Sequence, residues 1–147
     1  MRLLIALPLL LAAASPAGFT PGLWQVTSAP GTATLGGRSL GDLPYDAPAT
    51  PGEVCLSAAD AANGAWLARD LGPGCTLTSR KLVKGRIDLA GTCAPQAPGL
   101  ARGTVRITGR WTTTSYDLRF TTRNPSENGV MGFTGTMSGK RIGACPV

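Results

Sequence analysis

The sequence has no histidine, few acidic residues and no CxxC motif, and each absence argues against a class of function. Without histidine, the common Ser-His-Asp and Cys-His arrangements for nucleophilic catalysis cannot form. The 8 acidic residues are scattered along the chain, so no carboxylate pair stands out for acid-base chemistry. The 4 cysteines are widely spaced and have no histidine beside them, which argues against a zinc site. We therefore expect no enzyme active site, no metal centre and no cofactor.

The one long apolar run lies at the N terminus and has the order of a secretory signal peptide. Arg2 supplies a positive charge, residues 3–14 are mostly apolar, and small residues follow up to Ala17. The apolar run is shorter than the roughly 20 residues that a membrane-spanning helix requires, and no later stretch is long enough. We predict a cleaved signal peptide at residues 1–17, with cleavage after Ala14 or after Ala17. The mature protein would be periplasmic or secreted and not transmembrane.

Length and charge bound what the predicted mature chain can be. Residues 18–147 have the size of a single domain. The whole chain carries 14 Lys and Arg against 8 Asp and Glu, and most of the basic residues are arginine. For an exported protein, the expected acidic partners are lipid phosphates, anionic polysaccharide or other proteins rather than nucleic acid. The alternative is that the positive charge only keeps the protein soluble.

The four cysteines of an exported chain are expected to form two disulfides, and three pairings are possible. A β-hairpin is predicted around Lys84-Gly85. A three-residue loop over 83–85 would place Cys75 directly opposite Cys93, whereas a two-residue loop would put these cysteines on opposite faces. The sequence therefore predicts a Cys75–Cys93 disulfide and, by elimination, a Cys55–Cys145 disulfide.

The first half of the predicted domain contains a strand, a loop and a helix. Residues 22–28 have the pattern of a strand. Residues 29–51 are rich in Gly, Pro, Ala and Thr with little periodicity, which predicts a flexible loop. Residues 57–71 are predicted to be helical, with Ser57 as the N-cap and the Asn63-Gly64 pair ending or bending the helix.

The second half predicts antiparallel strands. Residues 104–113 alternate between apolar residues on one face and arginine or threonine on the other, and residues 116–121 alternate in the same way. A tight turn at Thr114-Ser115 would join these strands and pair Trp111 with Leu118. The expected fold is mainly β: a single curved antiparallel sheet, an open barrel-like meander, with one short α-helix and two disulfides.

Three segments of the chain carry a resemblance to a known family. They are residues 21–27 (PGLWQVT), residues 54–57 (VCLS) before an alanine-rich stretch, and residues 139–145 (GKRIGAC). Together with the export signal and the two central cysteines, they make the chain similar to the domain of unknown function 3617 (DUF3617) family over nearly the whole predicted domain. These are uncharacterised exported or periplasmic bacterial proteins with four cysteines. The resemblance implies location and architecture but no activity.

The arginines of the two central strands are the best candidates for a binding surface. In the predicted register, Arg110 would face Arg119 and Arg106 would face Arg123. Like charges directly across a strand pair are mildly destabilising, so nearby acids or an anionic ligand should offset them. The alternative is a solvated face whose threonines simply favour strand. The candidate anion-binding residues are Arg102, Arg106, Arg110, Arg119 and Arg123.

These observations favour a non-enzymatic binding or structural module of the cell envelope. Its candidate partners are anionic envelope lipid or polysaccharide, or a periplasmic protein. One alternative is a secreted inhibitor of an envelope-directed enzyme, although the excess of arginine argues against a basic target such as a lysozyme. Another is a carrier of a small apolar ligand, in which Trp24, Trp66 and Trp111 would line a cavity. Tryptophans in a domain of this size otherwise serve as core anchors.

Overall fold

The structure is a computed structural model that describes residues 18–42, 51–62, 64, 66–67, 74–95 and 98–146. Residues 1–17, which the sequence predicts to be a signal peptide, lie outside the described residues, and that assignment stays a prediction. Within the described part, no helix has the length and apolar character needed to cross a membrane.

The described residues form one antiparallel sheet of eight strands and one short helix. In chain order these are β1 Gly22–Leu35, β2 Arg38–Asp42, β3 Gly52–Leu56, α1 Ala58–Ala61, β4 Cys75–Val83, β5 Arg86–Cys93, β6 Gly103–Trp111, β7 Ser115–Ser126 and β8 Gly129–Gly143. The strand order is β2-β1-β8-β7-β6-β5-β4, and β3 also pairs with β1. The predicted mainly β fold, an open antiparallel sheet with one short helix and two disulfides, is confirmed.

One face of the sheet forms the core because apolar residues alternate with polar ones along the central strands. Ile87 and Leu89 in β5, Val105 and Ile107 in β6, and Leu118 in β7 are all buried. Each such side chain contributes about 1.5–3 kcal/mol when it is fully buried. The opposite face of the same strands therefore carries the polar and charged residues, and it faces solvent.

The segment that precedes β1 and the helix close over one end of this core. The backbone N–H of Phe19 donates to the carbonyl oxygen of Ala61 at 2.9 Å. Phe19, Ala61, Trp66 and Leu67 are all buried in the same apolar cluster as the strand residues. The helix therefore contributes to the core on one face of the sheet. The apolar cluster does not extend onto the solvent-facing side.

The loop predicted over residues 29–51 is wrong for residues 29–42. There β1 continues, turns at Gly36-Gly37 and returns as β2. Both glycines have positive φ, 57° and 84°, which glycine adopts without steric cost in a tight hairpin turn. Residues 43–50 lie outside the described residues, so the rest of that prediction is not addressed.

Pairing with β8 explains why a segment rich in Gly and Pro forms a strand. The β1–β8 register shifts between Pro30 and Ala33, and proline is tolerated at such irregularities because no ladder hydrogen bond is lost. Gly31 lies so close to Thr134 that an added Cβ would overlap its backbone oxygen. The order of this segment thus comes from a distant strand, since Thr32 and the Thr134 whose hydroxyl it contacts are 102 residues apart in the chain.

In the described residues the α-helix is Ala58–Ala61, shorter than predicted although its start is as expected; residues 63, 65 and 68–71 of the predicted helix lie outside the described residues. Ser57 is the N-cap: its hydroxyl accepts from the backbone N–H of Asp60 at 3.2 Å and lies 3.0 Å from the Asp60 carboxylate. Helical geometry ends at Ala62, and Gly64 has a positive φ of 66°, which other residues rarely adopt. Beyond this break Trp66 and Leu67 lie outside the α-helix, and both side chains are buried in the core.

The β4–β5 hairpin has a two-residue loop, and the predicted three-residue loop is wrong. Val83 pairs with Arg86, which leaves only Lys84 and Gly85 in the turn. Their φ values are 49° and 74°. Two consecutive residues with positive φ are what a type I′ hairpin turn requires, because its twist matches that of the flanking strands.

A β-bulge restores the cysteine pairing that the loop length alone would have prevented. The β4–β5 register shifts by one residue between Leu77 and Ser79, and Cys75 then lies opposite Cys93. The first predicted disulfide is therefore confirmed by a different route from the one predicted. The second is confirmed as well: Cys55 of β3 is bonded to Cys145, just beyond the end of β8.

Candidate functional site

The turn between β6 and β7 fixes which charged residues lie next to one another. It is centred one residue earlier than predicted, on Thr113-Thr114. The backbone N–H of Thr112 donates to the Ser115 carbonyl oxygen at 2.8 Å, and the two hydroxyls are also 2.8 Å apart. The Thr112 hydroxyl accepts from the backbone N–H of Thr114 at 3.2 Å, a local bond that favours a turn.

This turn shifts the β6–β7 register by two residues relative to the prediction. Trp111 pairs with Tyr116, and Gly109 pairs with Leu118. The predicted Trp111–Leu118 pair is therefore wrong. A shift by two residues leaves every side chain on its predicted face, because side chains alternate with a period of two, but it changes each residue's cross-strand neighbour.

The arginines that were predicted to face each other are consequently offset. Arg110 lies opposite Asp117, so the predicted Arg110–Arg119 and Arg106–Arg123 pairs are wrong. Arg119 is instead diagonal to both Arg106 and Arg110, at a typical spacing of about 7–8 Å. The repulsion inferred from the sequence across β6 and β7 is thus weaker than expected.

Four of the five arginines, Arg106, Arg110, Arg119 and Arg123, nevertheless share the solvent side of the sheet, and Arg102 lies just before β6; all five are exposed. A sixth, Arg86 of β5, lies on the same side directly opposite Arg110. We call this surface the basic face; its members are Arg86, Arg102, Arg106, Arg110, Arg119 and Arg123. Sequence reasoning missed Arg86 because the connection between β5 and β6 gives no register. The only available signal was its position two residues before Asp88 in an alternating strand.

One member of the basic face is neutralised by an acid. The guanidinium of Arg106 donates from Nε to Oδ1 of Asp88 at 3.1 Å and from Nη2 to Oδ2 at 3.0 Å. These hydrogen bonds hold the pKa of Asp88 below its ordinary value and raise the pKa of Arg106. Both side chains are largely solvent-exposed, at 64% for Arg106 and 42% for Asp88. The pair therefore organises the surface more than it stabilises the fold.

A groove of about 370 Å³ runs beside this pair, between β5 and β6. Arg86, Asp88, Thr108 and Arg110 contribute to its lining. Both oxygens of Asp88 already accept hydrogen bonds from Arg106, so the positive charges at the groove are those of Arg86 and Arg110. The arrangement offers guanidinium N–H donors and a hydroxyl at one place.

The tryptophans that the carrier hypothesis assigned to a cavity lie in the core. Trp24 and Trp66 are 0% and 3% exposed, and their ring centroids are 6.0 Å apart. The Phe19 ring packs against both, with centroids 5.5 Å from each of these tryptophans and 5.0 Å from Trp111. Such contacts are typical of packed aromatic side chains that anchor a core.

Groups of titratable residues suited to a metal ion do not occur in the part of the chain that the structure describes. Of the acids in this part, Asp88 and Asp117 lie beside basic residues in the sheet, whereas Glu53 lies in β3 opposite Gln25 and Asp60 lies in α1. The basic face with its groove is therefore the candidate site.

A family model described as "Protein of unknown function (DUF3617)" matches residues 19–145. The match begins at Phe19, in the aromatic core, and ends at Cys145, in the disulfide to β3, so it spans both disulfides and every strand described above. Comparisons with curated proteins and with solved structures gave no match.

Proposed function

This chain belongs to the DUF3617 family, and we propose that it is a non-enzymatic binding module of the cell envelope that contacts anionic lipid or polysaccharide through its basic face. Arginine suits this role because its planar guanidinium donates two parallel hydrogen bonds to a phosphate or carboxylate group. The proposal places the protein outside the cytosol. The two disulfides support that location, since such bonds persist in oxidising compartments.

The imbalance of charge on the basic face carries this proposal. The register places five arginines on one side of the sheet, with the acids Asp88 and Asp117 among them, and Arg102 is exposed just before β6. Asp88 is engaged by Arg106, and Asp117 lies opposite Arg110. Arg119 and Arg123 lie opposite threonines of β6. An excess of one charge sign on one surface attracts polyanions, and each basic residue near an anionic membrane contributes about 1 kcal/mol.

Vesicle flotation tests the proposal directly. The oxidised protein is mixed with vesicles of phosphatidylcholine alone or with added phosphatidylglycerol, and in parallel with alginate as a carboxylated polysaccharide. We expect binding to an anionic probe that weakens as salt is raised, because exposed charges are screened. Replacing Arg119 and Arg123 with Ser should weaken binding roughly 30-fold, which corresponds to about 1 kcal/mol for each residue.

A matched variant controls for net charge. Arg38→Ser with Arg80→Ser removes the same two charges from β2 and β4, away from the basic face. This control should bind as the unmodified protein does. If the unmodified protein binds neither anionic probe, or if both double variants lose binding equally, the basic face is not a specific binding surface and the proposal is rejected.

A further inference from the structure

Two arginines of the basic face are held closer together than the others. Arg86 and Arg110 are directly opposite on the neighbouring strands β5 and β6. The next pair is hydrogen-bonded, since the backbone N–H of Trp111 donates to the Gly85 carbonyl oxygen at 2.9 Å. Hydrogen-bonded and non-hydrogen-bonded pairs alternate in antiparallel sheets, so Arg86 and Arg110 occupy a non-hydrogen-bonded pair. In such pairs the Cα atoms are only about 4.5 Å apart.

Among the described residues, neither arginine of this pair forms an ion pair with a nearby acid. Asp88 follows Arg86 by two residues on the same face, but both of its oxygens accept from Arg106. Asp117 lies opposite Arg110 on the β7 side, but the ion pair found in the described part of the chain is that between Arg106 and Asp88. Like charges directly opposite in a strand pair are destabilising unless something compensates them.

The groove between β5 and β6 shows where a compensating group would sit. Arg86 and Arg110 both line it, as does Thr108, which is opposite Asp88. Asp117 is not among its lining residues, so the groove lies on the β5 side of Arg110. The volume of about 370 Å³ is ample for one tetrahedral oxyanion together with the group attached to it.

We infer that Arg86 and Arg110 together bind one phosphate-type oxyanion in this groove, with Thr108 able to donate a further hydrogen bond. Each guanidinium can offer two parallel N–H donors, so a phosphomonoester dianion would neutralise both charges at once. This inference rests on the proposed function and deepens it, because it names the group that the basic face recognises and the residues that select it. Free phosphate and the headgroup of a lipid phosphomonoester both present this oxyanion.

Calorimetric titration with inorganic phosphate tests the site. The oxidised protein should bind phosphate saturably with one site per chain. Arg86→Ser and Arg110→Ser should each weaken binding about tenfold or more, the loss expected for charge-assisted hydrogen bonds. Arg119→Ser, which removes the same charge from the same face outside the groove, should have less than about a threefold effect. The phosphate affinity of Arg110→Lys should lie between that of the unmodified protein and that of Arg110→Ser, because lysine keeps the charge but lacks the planar guanidinium with its parallel donors.

Thermal unfolding gives a second readout and a check on folding. Phosphate should raise the Tm of the unmodified protein but not that of Arg86→Ser, and in phosphate-free buffer Arg86→Ser should be at least as stable because repulsion with Arg110 is relieved. If a lipid headgroup is the source of the oxyanion, the protein should bind vesicles with phosphatidic acid, a phosphomonoester, more tightly than vesicles with phosphatidylglycerol, a phosphodiester.

The outcomes separate this inference from the proposed function. If phosphate does not bind saturably, or if Arg119→Ser weakens phosphate binding as much as Arg86→Ser does, the groove is not an oxyanion site. Loss of vesicle binding in the Arg119/Arg123 variant would in that case still support the basic face as a diffuse surface. If phosphate binds as expected but neither anionic vesicles nor alginate do, the site stands for free phosphate compounds and the envelope-surface proposal fails.

Discussion

At the residue scale, the Asp88–Arg106 pair makes the clearest pH prediction. Hydrogen bonds from Arg106 lower the pKa of Asp88 in the folded state, whereas in the unfolded state this carboxyl should have the ordinary pKa of about 3.9. A lowered folded-state pKa means that the pair stabilises the fold above the unfolded pKa, and that this contribution is lost as pH falls through the folded pKa. Urea unfolding should therefore separate Asp88→Asn from the unmodified protein at neutral pH but not at strongly acidic pH. A pH-independent difference would contradict the assignment, as would an ordinary Asp88 pKa measured by NMR.

Glycines in β8 accommodate aromatic rings of β7, and this predicts an asymmetric response to alanine. Gly139 lies opposite Tyr116, and a Cβ added there would overlap the Tyr116 ring, whereas one added at Gly143 would meet nothing within 4 Å. Gly139→Ala should therefore cost about 1–3 kcal/mol in the free energy of unfolding through overpacking. Gly143→Ala, in the same strand, should cost much less. Equal effects in urea unfolding would show that the ring moves aside.

At the scale of elements, the β4–β5 turn is a site where stability can be gained. Lys84 has a φ of 49°, a conformation that costs an ordinary L-residue roughly 1–2 kcal/mol and that Asn tolerates better. Lys84→Asn should raise the free energy of unfolding by about 0.5 kcal/mol or more. Lys81→Asn, which removes the same charge within β4, is the control and should not stabilise. Destabilisation by Lys84→Asn would indicate that the side chain makes contacts that outweigh the turn strain.

What the sequence could and could not predict follows from the period of two in a strand. Alternation correctly assigned Val105 and Ile107 to the core and Arg106 and Arg110 to solvent, because side-chain direction is a local property. Register is not local. The bulge before Ser79 and the turn at Thr113-Thr114 each changed the register of a strand pair relative to the prediction, and neither has a strong sequence signal.

The same limit applies to the candidate site. Five of its six arginines could be predicted from two strands joined by a turn, since both strands alternate. Arg86 required knowledge of the β5–β6 register, and its partner Arg110 was predicted to face β7 residues instead. The second half of β1 was likewise hidden, because its pairing partner β8 is distant in sequence. Long-range pairings therefore decide both the extent of the sheet and the position of the groove.

At the scale of the whole molecule, the two disulfides should stabilise the fold unequally. Cys55–Cys145 closes a loop with a sequence separation of 90, against 18 for Cys75–Cys93. The chain-entropy model gives about 4.5 kcal/mol for the first and about 3 kcal/mol for the second. The long-range bond also joins β3 to the end of β8, the two strands that flank the first half of β1. Cys55→Ala with Cys145→Ala should therefore lower the urea midpoint more than Cys75→Ala with Cys93→Ala, and hydrogen exchange should rise first in β3. The reverse order would show that holding β4 against β5 matters more than closing the long loop.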